Sequence, residues 1–160
     1  VQQVFPRWEI VRHLVNSVPW PFPPDGASRY IDGMALPAMQ AGQAWHWSLR
    51  HRSNPETLIG LISLRLGPED NRGFWLVPEW QKQGLMSEAC EAVTAFWFLE
   101  LQQSRLRVPK AMDNQASRRI SERTGMRLVD TYRKTFVEGE LLAGTWEITR
   151  EEWLARNGVR

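Results

Sequence analysis

The chain has 160 residues, of which 42% are hydrophobic and 24% charged, and a net charge of +2. This is the composition of one globular domain with a core of its own, and it excludes a chain disordered over its length. No apolar run approaches the ~20 residues of a membrane span, and a single cysteine, Cys90, excludes an intrachain disulfide and a cysteine zinc site. A cytoplasmic protein is the simplest expectation, with neither membrane nor metal called for.

In chain order, Pro6-Arg7-Trp8 can open a helix, with Trp8, Val11 and either Leu14 or Val15 as its stripe. Pro19, Pro21, Pro23 and Pro24 then exclude helix and sheet interior, so Val18 to Gly26 is a stiff aromatic loop. Ser28 can cap a helix running to about Gln40, with Ile31, Met34, Ala35 and Ala38 inward and a kink at Pro37. From Ala44 to Arg50 the period is two, a strand. Ser53 to Glu56 is a turn, and Thr57 to Leu66 is an apolar strand buried on both faces. Gly67 to Asp70 turns again, and Arg72 to Val77 is a third strand, antiparallel to the second.

A loop at Gln81–Ser87 leads into a long helix to about Gln103, with Ala89, Cys90, Val93, Phe96, Trp97 and Leu101 on its apolar face. Cys90 is an inert buried thiol on this reading. Leu106 to Ala111 is a strand, and Asp113-Asn114 opens a short helix stopped by Gly125. Met126–Val137 and Leu141–Arg150 form a hairpin, and Glu151 starts a closing helix. The whole is α+β with a mixed, mostly antiparallel sheet flanked by helices, one domain over 1–160.

Charge is uneven along the chain. Residues 105–134 hold nine basic and three acidic groups, net +6. Arginine outnumbers lysine 17 to 3, which fits either a GC-rich coding background or phosphate recognition by the planar guanidinium. A compact positive segment in a near-neutral chain suits a small anionic ligand better than a long nucleic acid. The run Ser117 to Gly125 could pass for part of a helix-turn-helix, but a strand pattern follows where a recognition helix should be. Nucleic acid is therefore not the expected partner.

The stretch Trp80-Gln81-Lys82-Gln83-Gly84-Leu85-Met86-Ser87-Glu88-Ala89 places a glycine just before a helix start, where free amides and the helix dipole favour an anion. It resembles the acyl-CoA loop of the GNAT superfamily of N-acetyltransferases, Gln/Arg-x-x-Gly-x-Gly/Ala, with Met86 in place of the second small residue. Asn114-Gln115-Ala116-Ser117 and Glu122-Arg123-Thr124-Gly125-Met126 resemble the family's second landmark. Trp80, Ser87-Glu88-Ala89 and the closing Thr149 to Trp153 are similar to the ribosomal-protein N-terminal acetyltransferase branch. That family's first strand has no counterpart before the first helix, and the chain opens on Val1, so a longer natural chain is expected.

The resemblance implies acetyl transfer from acetyl-CoA to a primary amine, a protein N-terminus or a small molecule. It implies a sheet splayed between the strand ending near Val77 and the strand starting near Leu106. Backbone groups of Leu76 and Val77 would pair with the pantetheine arm, and an amide near Val77 would face the oxyanion. Gln81, Lys82, Gln83, Gly84, Leu85, Met86 and Ser87 would hold the pyrophosphate. Asn114 would bond the pantetheine, and Arg118 or Arg119 would meet the nucleotide phosphates. Ser117 would face the thioester sulfur as proton donor, or else cap the first helical turn. Trp20, Asp25, His46 and Trp47 are the candidates for the acceptor side, each with a plain structural role as its alternative. The residues identify no general base. A non-catalytic acyl-CoA-binding module would carry the same motifs, and a homodimer is compatible with them.

Overall fold

The structure, a computed structural model, describes residues 1–159. Residues 1–7 form turns, with the amides of Val4 and Phe5 donating to the Val1 carbonyl. Helix α1 is a single turn, Trp8–Val11, that buries Ile10 and Val11 and leaves Trp8 exposed. The longer stripe expected through Leu14 or Val15 does not form. A one-turn helix has little cooperativity, and the backbone beyond it pairs elsewhere: Val137 N–H donates to Leu14 O, and Glu138 N–H to Arg12 O.

The proline-rich segment is a loop, followed by α2 (Gly26–Tyr30), a π-helical turn (Ile31–Ala35) and α3 (Leu36–Gln40). Ser28 is not the cap expected of it, since its hydroxyl donates to the Asp25 carbonyl from inside the first turn. The irregularity falls just before Pro37, which has no N–H to give and crowds the preceding turn. The wide turn also rotates the apolar face, so Ala35 is buried while Met34 is exposed rather than inward.

Strands β1 (Ala44–His51), β2 (Asn54–Arg65) and β3 (Arg72–Leu76) form one antiparallel sheet in that order. His51 pairs with Asn54, so the first hairpin is tighter than the turn expected over Ser53–Glu56, and Asn54 to Glu56 are strand. β1 is the outer strand, and no strand precedes α1 among the described residues. A short 3-10 turn (Pro78–Trp80) leads to α4 (Leu85–Ala95), which ends in a π-helical turn (Phe96–Glu100). The second sheet has the order β4 (Arg105–Ala111), β6 (Gly139–Thr149), β5 (Arg127–Phe136), also antiparallel. Helix α5 (Gln115–Arg123) connects β4 to β5, and α6 (Arg150–Asn157) closes the chain with a reciprocal Thr149–Glu152 capping box. Cys90 and Val93 from α4 and Trp97 from the π-helical turn after it join Ile62, Leu64, Leu106, Val108, Trp146 and Ile148 in one core spanning both sheets.

The two sheets meet at Asn71. Its N–H donates to Arg107 O at 2.9 Å and its Oδ1 accepts from Arg107 N–H at 2.9 Å. Its Nδ2 donates to the carbonyls of Arg65 and Gly67, and its own carbonyl accepts from Arg65 N–H. From this joint β3 and β4 run in the same direction, since Phe74 meets Lys110 three residues further on. They form no ladder beyond it.

Asn71 is buried, so its side chain cannot be traded for water. Asn71→Leu leaves Arg107 N–H and two carbonyls unpaired, each costing about 1–3 kcal/mol. A loss of about 3 kcal/mol in urea unfolding is expected. An unchanged midpoint would show that other contacts hold the sheets together.

Candidate active site

The β2–β3 ladder is regular from Arg65–Asn71 to Ile59–Val77, and both of these end pairs are hydrogen-bonded. In an antiparallel pair, bonded and non-bonded residues alternate. Gly73 and Trp75 therefore point their amides and carbonyls at β2, as Val77 does its amide, with the Val77 carbonyl accepting from Trp80 N–H, while Arg72, Phe74 and Leu76 point theirs at β4. This corrects the sequence expectation for Val77, whose N–H donates to Ile59 O at 2.9 Å and is not available to a ligand or an oxyanion. Leu76 does lie on the open edge, and Phe74 is the second edge residue, which the sequence reading missed.

The facing edge of β4 follows from the same parity. Ser104 O accepts from Arg150 N–H and Met112 N–H donates to Leu142 O, so even-numbered residues pair with β6. Arg107, Pro109 and Ala111 face β3. Arg107 is bonded to Asn71, and the next position is proline, which has no N–H. Pro109 thus stops β4 from zipping onto β3 one step beyond the joint, and the strands diverge. A proline inside a predicted strand is itself an edge signal, and it could have been read at position 109.

The mouth of this cleft is the start of α4. Gly84 is the N-cap, with φ +78° and no side-chain cap, so the first-turn amides of Leu85, Met86 and Ser87 lack intrahelical acceptors. A Cβ on Gly84 would meet nothing within 4 Å, so the space beside it is open. Met86, the departure from the motif, turns its side chain into the core and leaves the outer face of the loop unobstructed. Gln81 Nε2 donates to Leu76 O at 2.8 Å, tying the loop to the end of β3. Lys82 and Gln83 are exposed, Lys82 at φ +61°.

Asn114 and Ser117 stand together at the start of α5. Asn114 Oδ1 accepts from Ser117 N–H at 3.3 Å, so Asn114 is the cap and Ser117 is not. The Ser117 hydroxyl accepts from Lys110 Nζ at 2.7 Å, with both residues buried. Burial, reinforced by the Arg72 charge, pushes the Lys110 pKa down to about 7. Arg72 is itself buried, bonded through Nη1 to Thr94 Oγ1 at 3.0 Å, with its Nε unpartnered.

The positive segment is largely neutralised. Arg105, Arg107 and Arg127 converge on Glu147, Arg107 also reaches Glu69, Arg127 reaches Glu152, and Arg133 reaches Glu140. Arg118 donates to Met112 O at 2.8 Å and lies over the Trp146 ring, so its guanidinium is committed within the fold. Arg119 and Arg123, one turn apart on α5, are exposed and make no ion pair among the described residues.

The acceptor-side candidates do not all gather. His46 and Trp47 are neighbours on a strand and face opposite ways. Trp47 packs edge-on against Phe96 at 5.6 Å, while His46 lies against Tyr30, with Tyr30 Oη 3.5 Å from its Nδ1. Burial, and then Arg65, lowers the His46 pKa. Asp25 pairs with Arg29 at 2.6 Å, and Trp20 stacks against Trp8 with both rings exposed. His46 and Trp47 therefore lie on opposite faces of β1, and one slot cannot hold both.

The family described as acetyltransferase (GNAT) domain matches residues 1–127. The Bacillus subtilis (strain 168) protein YdaF, provisionally named a ribosomal N-acetyltransferase, is 30% identical over 106 residues, 64% of this chain. The chain spans about half the length of that curated relative, 51%. Among solved structures, the ribosomal L7/L12 α-N-protein acetyltransferase RimL in complex with coenzyme A superposes with a TM-score of 0.73 at 18% identity, covering 88% of this chain and 80% of that one. The ribosomal-protein-S5-alanine acetyltransferase of Vibrio fischeri gives 0.70 at 16% identity, covering 82% and 75%.

The loop can be tested without any ligand. Gly84→Ala forces a Cβ onto a left-handed residue, which costs about 1–2 kcal/mol, with no clash to add to it. Urea unfolding should show a loss of about 1 kcal/mol; a loss above about 3 kcal/mol would mean that the space beside Gly84 is not open.

Proposed function

The chain belongs to the GNAT acetyltransferase domain family, and we propose that it is a cytoplasmic enzyme transferring the acetyl group of acetyl-CoA to the α-amine of a protein N-terminus. The observation that carries this reading is the edge of β3 that β4 leaves without a ladder opposite Pro109, where the Phe74 backbone and the Leu76 amide have no partner and the Leu76 carbonyl accepts only from the Gln81 side chain. A pantetheine arm carries amides spaced to bond such an edge as an added strand does. At the mouth, the first-turn amides of α4 and the open space at Gly84 suit a pyrophosphate. Gln81, Lys82, Gln83, Leu85, Met86 and Ser87 would line it, Met86 through its backbone only. Lys82, Arg119 and Arg123 are the exposed cations that would meet the remaining phosphates, in place of Arg118.

In this reading the chemistry is attack of a neutral amine on the thioester carbonyl. The Leu76 amide, unpaired and aimed into the cleft, is the preorganised donor for the carbonyl oxygen as charge grows on it. Asn114 keeps its Nδ2 for the pantetheine while its Oδ1 caps α5. The Ser117 hydroxyl faces the departing sulfur. His46, Asp25 and Trp20 are left as the acceptor-side candidates. The names of the ribosomal relatives support a protein α-amine as acceptor. After Gly125 the chain forms β5, a strand where a helix-turn-helix would need its recognition helix. No helix among the described residues is long and apolar enough to cross a membrane.

The test is acetyl-CoA with a panel of peptides of different N-terminal residues, small-molecule amines as controls, read by CoA release and peptide mass. Acetyl-CoA at 100 times its Kd should add about 2.7 kcal/mol of stability. Asn114→Ala should weaken acetyl-CoA binding first. Ser117→Ala should lower kcat about tenfold, ~1.4 kcal/mol in the barrier, with binding little changed. No thermal shift at millimolar acetyl-CoA would overturn the reading.

A further inference from the structure

Lys110 is the one lysine of the core. Its side chain projects from β4 on the face covered by α4 and α5 and is only 5% exposed. Buried ammonium groups are normally paired with a carboxylate. Here Nζ has Ser117 Oγ at 2.7 Å and the Phe74 ring at 5.2 Å, with no carboxylate in hydrogen-bond reach. The groups around it are Arg72 on β3, Cys90 on α4, Ser117 on α5 and, more remotely, Asp70 in the β2–β3 turn. Across the ladder on β6 stands Gly144, which brings no charge.

The direction of the Lys110–Ser117 bond matters. An ammonium only donates. While Lys110 is protonated, the Ser117 oxygen is the acceptor, and the hydroxyl hydrogen is directed away from Nζ. We propose that Lys110 positions the Ser117 hydroxyl as a donor towards the cleft and resupplies its proton once the leaving thiolate has taken it. This rests on the acetyltransferase reading above.

The step balances. The amine nitrogen forms the C–N bond, the C–S bond breaks, and the electron pair leaves on sulfur. The Ser117 proton passes to sulfur as a Lys110 proton passes to Ser117 Oγ. The proton lost by the new amide goes to water, and Lys110 regains one from solvent. The lowered Lys110 pKa makes it a stronger acid than an ordinary ammonium, near the pH at which it must work. The positive, carboxylate-free floor also favours the negative sulfur over the neutral thioester, which is stabilisation specific to the transition state. Lys110 acts through Ser117, so it is a positioning and proton-supplying residue.

The test compares the parent, Lys110→Met, Ser117→Ala and the double variant. Acetyl-CoA affinity by calorimetry should stay within about twofold of the parent in Lys110→Met. Its kcat should fall tenfold or more, and the double variant should be no slower than the slower single variant, because the two residues act as one unit. In the parent, kcat at saturating substrates should fall as pH rises through the Lys110 pKa, and Lys110→Met should lose that fall. A readout free of activity accompanies these. The folded pKa of about 7 lies below the ordinary 10.5, so the cost of burying the charge is fully present below the lower value and is relieved as pH rises between the two. The parent's Tm should therefore gain on Lys110→Met over that interval.

Additive losses in the double variant, or an unchanged alkaline limb in Lys110→Met, would overturn the proposal. So would a Tm difference between parent and Lys110→Met that does not move with pH, since Lys110 would then not titrate in the fold. Failure of the parent to bind acetyl-CoA or acetylate any amine would instead overturn the acetyltransferase reading, while the Tm comparison still reports on Lys110.

Discussion

Everything in the cleft depends on where two sheets are joined and where that joint stops. Asn71 and Arg107 exchange a pair of hydrogen bonds, one through a side chain and one through the backbone. A side-chain amide stands in for a peptide group here, so the joint looks like one rung of a parallel ladder but does not set the register for a second. The next residue of β4 facing β3 is Pro109, which cannot supply a donor. The sheets are thus held together at one end and kept apart at the other by two neighbouring positions of one edge. Unpaired strand edges are ordinarily a liability; this one is enclosed between the sheets, and on the acetyltransferase reading proposed above the pantetheine arm would occupy it.

The electrostatics of the chain sort themselves by burial. Glu147 draws Arg105, Arg107 and Arg127 to the outer face of the second sheet, and Glu69, Glu152 and Glu140 take up further arginines. The outer pairs to Glu69, Glu152 and Glu140 are exposed on the carboxylate side and contribute little stability each, whereas Glu147 itself is buried. Together these pairs keep the basic segment from acting as one positive field. Of the cations without a carboxylate partner among the described residues, Lys82, Arg119 and Arg123 are exposed, while Arg72 and Lys110 are buried. On the acetyltransferase reading proposed above, the exposed group would meet the phosphates of acetyl-CoA and the buried pair the charge that grows on sulfur.

Much of the order of elements was legible from period and punctuation: the two-residue alternation from Ala44, the run into Gly84, the capping asparagine, the stop at Gly125. What was not legible depends on pairing at a distance. Val77 and Phe74 look equally suited to a ligand-facing edge until the ladder parity with β2 is known, and that parity is fixed by Asn71, an inconspicuous turn residue in sequence. Helix α1 loses its second turn to backbone bonds with residues 136–138, more than 120 positions away. Met34 faces solvent because a π-helical turn shifts the stripe, and nothing in local composition announces an extra residue in a turn. The sequence leaves Ser117 as either a proton donor to the thioester sulfur or a helix cap; Asn114 performs the capping, and the Ser117 hydroxyl accepts from Lys110.

Adjacent residues of β4 then divide the work by the alternation of a strand. Pro109 acts through its backbone, in the plane of the sheet, where it withholds a hydrogen bond from β3. Lys110 acts through its side chain, perpendicular to the sheet, where it reaches α5 and the ring of Phe74. A one-residue shift in register would exchange these directions, placing the proline against β6, where a bond is required, and the ammonium on the outer face among the Glu147 arginine pairs. The pairing of β4 with β6 is regular from Arg105–Thr149 to Ala111–Ala143, which is what fixes the phase. The opening of the cleft and the charge on its floor are consequently set by one register, and neither can be altered by sliding β4 without losing the other.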